Sequence, residues 1–177
     1  SMTLITEQQA ESLYKEVTPE IQIAGGSAAN TLAGIAQLGG TANLIARVKE
    51  DALGKVFRSN TSSTGVFFES LSVPSGPSTA RCIVFVTPDA QRTMCTYLGA
   101  SSYLDSNDLN ISTLNRAKVL YLEGYLFDSP QAKEAFFKAA KTCKSSGSKI
   151  ALSLSDSFCV ERHRESLLDL IANSLIL

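Results

Sequence analysis

The sequence predicts an α/β protein, a mostly parallel sheet flanked by helices with a small β insert in its middle third. Three observations predict it. From Val119 to the C-terminus, apolar strand-like runs alternate with helical patterns, which is the signature of strand-helix-strand units. Near the start, Gly25-Gly26 separates a short alternating run from a helical one. Between these halves, three runs rich in branched and aromatic residues are punctuated by Pro and Gly, as hairpins are.

Taken in order, Thr6-Glu7-Gln8-Gln9 has the form of a capping box, and Ala10, Leu13, Tyr14 and Val17 follow at helical spacing. A helix over 7–17 is expected. Ile21 and Ile23 alternate with polar neighbours and predict a short strand ending at Gly25-Gly26. From Ser27, the residues Ala28, Leu32, Ile35 and Ala36 fall on one helical face, stopped by Gly39-Gly40. Ala42–Val48 predicts a strand and 51–62 a helix. Val66–Val73, Thr79–Thr87 and Thr93–Leu98 predict hairpin-linked strands, separated by Pro74-Ser75-Gly76-Pro77 and Pro88-Asp89.

A weaker helix is expected over 107–115, then a strand over 119–125. In the next helix, Ala132, Ala135, Phe136, Ala139, Ala140 and Cys143 form one apolar face. Lys149–Leu154 and then Val160, Leu167, Leu168, Ile171 and Leu175 repeat the strand-helix pair. The closing Leu-Ile-Leu resembles the start of another buried strand. No repeat or linker divides the chain, so residues 1–177 are read as one partial α/β domain with a small β insert within about 66–98.

Composition narrows the function. Sixteen Lys and Arg against 17 Asp and Glu give a net charge of −1, so no positive field recruits nucleic acid or an anionic membrane. The longest apolar runs are too short for a bilayer, and the N-terminus has no export signal, which predicts a cytoplasmic protein. Ser1-Met2 has the look of a tag scar. The four cysteines lie far apart with no C-x-x-C, and three sit in apolar patterns where a reduced thiol packs as a small hydrophobe. The single histidine, His163, lies among Glu161, Arg162, Arg164 and Glu165, which resembles a solvated helix face and excludes His-based metal and Ser-His-Asp chemistry.

The most informative segment is Gly25-Gly26-Ser27-Ala28-Ala29-Asn30. Its glycines allow close approach of backbone, a helix starting at Ser27 directs unpaired N–H groups at the space above the turn, and Asn30 can both donate and accept. Such a turn suits a polyhydroxylated ligand; small residues there would equally serve tight helix-on-sheet packing. It is neither a Walker A loop nor a dinucleotide fingerprint.

GGSAANTLAGIAQLGG resembles the first signature of the ribokinase-like PfkB sugar and nucleoside kinases. FVTPDAQRTMCTYLGAS, YLEGYLFDSPQAKEAF and LSLSDSFCVERHRESLLDL look like the corresponding stretches of bacterial members called adenosine kinases, in the same order. The resemblance implies a ribokinase-like (Rossmann-like) domain with a β lid, and an ATP- and Mg2+-dependent kinase acting on a primary hydroxyl of a nucleoside, adenosine first. It implies that Gly26 and Asn30 bind ribose hydroxyls, with Gly25 permitting the approach, and that Arg92 lies near the transferred phosphate. Met94 and Thr96 would line the base pocket and Glu123 would lie near the substrate. Arg92 has a plainer reading as a turn cation, and Met94 and Thr96 as hairpin packing. Asp156 is expected to cap the following helix, and Asp89 and Asp128 to serve turns and caps.

The family's Gly-Ala-Gly-Asp run, which supplies the anion hole and catalytic base, and its Asn-x-x-Glu magnesium motif are missing from this sequence, as is an early substrate-binding aspartate. The sequence is therefore read as incomplete at both ends, with most of the acceptor site and little of the ATP site, and inactive by itself. A PfkB sugar kinase for ribose or fructose and a non-catalytic ligand-binding or assembly protein are the alternatives. The β-rich middle leaves a lid and a homodimer clasp both open.

Overall fold

The structure, a computed structural model, describes residues 2–70 and 72–173. Seven strands and six helices follow in the order β1 (Met2–Leu4), α1 (Glu7–Glu16), α2 (Ser27–Gln37), β2 (Ala42–Asn43), α3 (Ala52–Ser63), β3 (Val66–Phe67), β4 (Arg81–Val86), β5 (Arg92–Tyr97), α4 (Ile111–Arg116), β6 (Val119–Glu123), α5 (Pro130–Ser145), β7 (Lys149–Ser153) and α6 (Ser157–Asn173). Single 3-10 turns cover Gly99–Tyr103 and Gly124–Asp128. The strands pair as β2-β3 and β6-β7, both parallel, and as a separate sheet of order β1-β5-β4. The architecture is the expected α/β one, with parallel strand pairs covered by helices and a separate three-stranded sheet.

The best-packed region is β6-β7 with α5 and α6. Ser129 caps α5 by accepting from Ala132 N at 3.3 Å, and Pro130 stands in its first turn. The helix then buries Ala132, Ala135, Phe136, Ala139, Ala140 and Cys143, the face the sequence periodicity marks. Phe136 meets Phe127 edge to face at 5.5 Å, and Leu122, Ile150, Leu167 and Leu170 complete the cluster. A second core joins Ala42, Leu44, Val48, Val66 and Phe68 to the small residues of α2 and to Phe57 of α3.

Several elements differ from expectation. No strand forms at Ile21 and Ile23, which are 73% and 74% exposed; they have no ladder to join, and Ala24 N donates instead to Asn60 Oδ1 at 3.1 Å. The strands expected over 42–48 and 66–73 shrink to two residues each. Between them and a single backbone bridge at Lys49 and Val73, side chains interrupt the ladder: Arg58 donates to the carbonyls of Phe68 and Ser70, and Ser70 Oγ accepts from Ala46 N. Accordingly β3 pairs in parallel with β2 and is no part of a hairpin. The helix expected over 107–115 starts only at Ile111, because Asp105 and Asp108 engage nearby backbone amides and Arg47. An unpredicted strand, Met2–Leu4, adds in parallel to β5. The strand expected at the closing Leu-Ile-Leu lies outside the described residues.

The hairpin β4-β5 turns at Pro88-Asp89-Ala90, where Ala90 has φ 62 and Asp89 accepts from Thr87 Oγ1, so Asp89 serves the turn. Cross-strand register puts Met2, Leu4, Cys82, Val84, Val86, Arg92, Met94 and Thr96 on one face of this sheet. That face is open: Met2, Leu4, Val84 and Val86 are 52%, 60%, 46% and 65% exposed. Helix α1 packs against β4 and β5, with Ala10 fully buried and the expected capping box formed by Thr6 and Gln9. No described helix is long and apolar enough to cross a membrane.

Candidate functional site

The Gly25-Gly26 turn opens α2 and leaves space above itself. Gly26 adopts φ 108, a backbone that residues with a side chain rarely accept, and precedes α2 with no side chain capping the helix. The first-turn amides of α2 therefore keep no side-chain cap and face the space above the turn. A Cβ added at Gly25 or Gly26 would meet nothing within 4 Å, so crowding requires glycine at neither position, and at Gly26 it is the positive φ that favours it. Asn30 lies one turn on, exposed, its amide N donating to Gly26 O at 2.9 Å.

Glu123 closes β6 at the carboxyl edge, where open α/β sheets bind ligands. It is 7% exposed, and its carboxylate accepts from Ser155 Oγ at 2.5 Å and Tyr121 Oη at 3.2 Å. Ser155 reaches it because its φ is 67, a left-handed conformation just past β7. Gly124 must be glycine here, since a Cβ would lie 2.6 Å from Ser153 O. Asp156 caps α6 as expected, accepting from Cys159 N at 2.8 Å. Burial, helped by the negative charges of Asp156 and Glu123, pushes the Tyr125 phenol above its ordinary value.

Arg92, Met94 and Thr96 occupy alternate positions of β5 on the open face of the three-stranded sheet. Arg92 is exposed at the start of the strand, opposite Val86, while Met94 and Thr96 are half-buried. Thr96 Oγ1 donates to Cys82 Sγ at 3.2 Å. The structure thus brings Gly25, Gly26 and Asn30 to one helix end and Arg92, Met94 and Thr96 to one sheet face. Glu123 stands on the central strand pair, against which α2 also packs.

Sequence reasoning missed two things. Ser155 and Tyr121, the partners that hold Glu123, give only a weak signal, a serine-rich strand end and an alternating tyrosine. Asp128 and His163 were also misread. Asp128 accepts two bonds from Arg162, at 3.1 and 3.0 Å, and lies 2.6 Å from His163 Nε2, so it serves an ion-pair cluster and not merely a turn. His163 is 14% exposed by side chain, packed near Phe127 where α6 kinks, and not on a solvated face. Burial tends to raise the Asp128 carboxyl, but Arg162 and His163 outweigh it and hold the group below its usual value. Of the cysteines, Cys143 and Cys159 are fully buried and Cys82 is exposed; none is in a disulfide.

Comparison with known proteins gives the same outline. The sequence model of the pfkB family carbohydrate kinases matches residues 3–177. The chain belongs to the pfkB family. It is 42% identical to the adenosine kinase of Sinorhizobium meliloti, with a TM-score of 0.89 over 99% of this chain and 54% of that one. A structure described as a probable sugar kinase from Rhizobium etli CFN 42 matches equally, at 42% identity and TM-score 0.89, over 99% of this chain and 53% of the other. Among curated proteins, "Probable fructokinase-6, chloroplastic" of Arabidopsis thaliana is 28% identical over 125 residues, 70% of this chain and 33% of that protein. The chain thus spans about half of its solved pfkB relatives and a third of this curated one. Among the described residues no group of three or more His, Cys, Asp or Glu is placed to hold a metal ion, so no chemistry is assigned to a metal on this chain.

Proposed function

We propose that the natural full-length protein is an ATP-dependent kinase that phosphorylates a primary hydroxyl of a nucleoside, adenosine, and that this chain supplies its acceptor site. The observation that carries the reading is the pairing of a hydroxyl-binding turn with an open apolar sheet face. Gly25, Gly26 and Asn30 offer backbone and amide groups to ribose hydroxyls. Met94, with Val84 beside it, offers the apolar surface a purine ring needs and a free sugar does not, and Thr96 adds a polar handle. Glu123, held by Ser155 and Tyr121, orients the acceptor from below. Arg92 spreads developing negative charge on the transferred phosphoryl group.

In this family ATP and a divalent metal supply the phosphoryl group and its charge neutralisation. This chain's part is to bind and orient the acceptor and exclude water from it. The 42% identity to the Sinorhizobium meliloti adenosine kinase supports the nucleoside; the matches to fructokinases and to a probable sugar kinase support a sugar as the second reading.

Assaying the full-length protein with adenosine, ribose and fructose separates the two. Adenosine is expected to be phosphorylated at least about tenfold more efficiently than either sugar, each tenfold being 1.4 kcal/mol of transition-state binding. The reverse order would transfer the assignment to the sugar kinases. Asn30→Ala should weaken acceptor binding by about 1–3 kcal/mol, the cost of leaving hydroxyls unpaired, with ATP affinity unchanged. Unchanged acceptor affinity would make Asn30 a packing residue.

A further inference from the structure

Helix α3 is fastened at its start to the segment that leads into the lid-like sheet and near its end to the segment that leads into the glycine turn. At its N-terminus, the Asp51 carboxylate caps the helix by accepting from Gly54 N at 2.7 Å. The same carboxylate accepts from Thr79 N at 2.9 Å and Thr79 Oγ1 at 2.7 Å. Thr79 is 3% exposed and leads directly into β4, the outgoing strand of the lid-like sheet. Its hydroxyl also accepts from Lys49 N at 3.0 Å, so the threonine is held by both Lys49 and Asp51 of the segment that enters α3. Gly54 leaves no slack in this grip: a Cβ there would lie 2.0 Å from Lys49 O.

The returning strand is fastened to the same point. Ala100 N donates to Ser78 O at 2.9 Å, and Gly99 passes so close that a Cβ would lie 2.2 Å from that carbonyl. Ser78 N in turn donates to Glu7 Oε1 of α1 at 3.2 Å. The two roots of the sheet, 78–79 and 99–100, therefore meet each other, and Thr79 ties them to Asp51.

Near the other end of α3, about 14 Å along the helix axis, Asn60 Oδ1 accepts from Ala24 N, the residue immediately before Gly25. A packed helix does not bend or stretch easily, and Phe57 in its middle is seated in the second core.

We infer that α3 is a strut that sets the position of the β1-β5-β4 sheet relative to the Gly25-Gly26 turn, with Asp51 and Asn60 as the positioning residues at its two ends. Neither residue touches the acceptor. Each acts through the backbone it holds, Asp51 through Thr79 and Asn60 through Ala24. The functional consequence, control of acceptor affinity by lid position, rests on the kinase reading above; the mechanical one does not.

The test uses the full-length protein and two readouts. In hydrogen exchange, Thr79→Val and Asp51→Asn should speed exchange of the β4 and β5 amides about tenfold or more while α5 keeps its protection. Thr79→Ser, which keeps the hydroxyl, should restore the wild-type pattern. In kinetics, the same two variants should raise the acceptor KM about tenfold with a smaller change in kcat and none in the ATP KM, the signature of lost acceptor positioning. Asn60→Ala should act likewise on acceptor KM, and Asn60→Asp, which still accepts from Ala24 N, should be close to wild type.

Exchange rising equally in β4-β5 and α5, or in neither, overturns the strut, because it reduces Asp51 to an ordinary helix cap. Should Asp51→Asn fail to fold, the contrast between Thr79→Val and Thr79→Ser decides alone. A full-length protein that phosphorylates neither nucleoside nor sugar would sink the kinase reading while the exchange result still stood on its own.

Discussion

The two-stranded β6-β7 unit and the three-stranded β1-β5-β4 sheet are opposite in finish. Around β6-β7, α5 and α6 cover the strands, and Phe127, Ile150 and Leu170 are at most 1% exposed. On the other sheet only one face is packed, by α1, while Val84, Val86, Met2 and Leu4 leave the opposite face apolar and open. An open apolar face costs solubility and gives no stability, so it belongs where something is to be covered. The difference separates a scaffold from a binding surface.

The contrast is most directly broken at Phe127. Phe127→Ala removes a fully buried ring from contact with Phe136 and should destabilise the protein by about 3–5 kcal/mol in denaturant unfolding. A loss under about 1 kcal/mol would mean that this region is not the scaffold.

An intermediate effect is expected at the junction. Burial raises the Asp51 carboxyl, but hydrogen bonds from Thr79 and Gly54 outweigh it and hold the folded value below the usual one. A carboxyl depressed on folding contributes stability that is fully present above its unfolded value, about 3.9, and is lost as pH falls through the lower folded value. Asp51→Asn keeps one oxygen for these bonds but replaces the other acceptor by an NH2 and removes the charge, so it should cost about 1–3 kcal/mol near neutrality, with the gap to wild type closing below about pH 4. Unfolding curves from pH 7 to pH 3 check this; a gap that stays constant would place the effect in packing and not in charge.

The smallest change is expected on the open face. Val86→Thr, at a residue 65% exposed, should shift stability by no more than about 0.5 kcal/mol. A loss several times larger would show that this face is covered in solution, as in the dimer clasp that the sequence leaves open.

Legibility in the sequence followed the same division. Helix α5 was readable to the residue because its periodicity is enforced by a core on one side, and Thr6, Asp156 and the Pro88-Asp89 turn were readable because caps and turns are local chemistry. Ile21 and Ile23 failed because a strand exists only if another strand is there to pair with it. His163 failed because a kink in α6 turns it toward Asp128, 35 residues away, which no pattern within the helix reveals.

At the site, Gly25, Gly26 and Asn30 stood out because conformational freedom and hydrogen-bonding capacity are written in residue type. The partners of Glu123 did not, since Ser155 meets it only through parallel strand pairing and a left-handed backbone. What the sequence determined by itself was therefore the α/β class, most elements and the glycine turn, all properties of neighbours along the chain. The tertiary structure alone decided which sheet face stays open, how Asp51 reaches Thr79 across 28 residues, and how Asn60 reaches back to Ala24, because those contacts exist only once distant segments have packed.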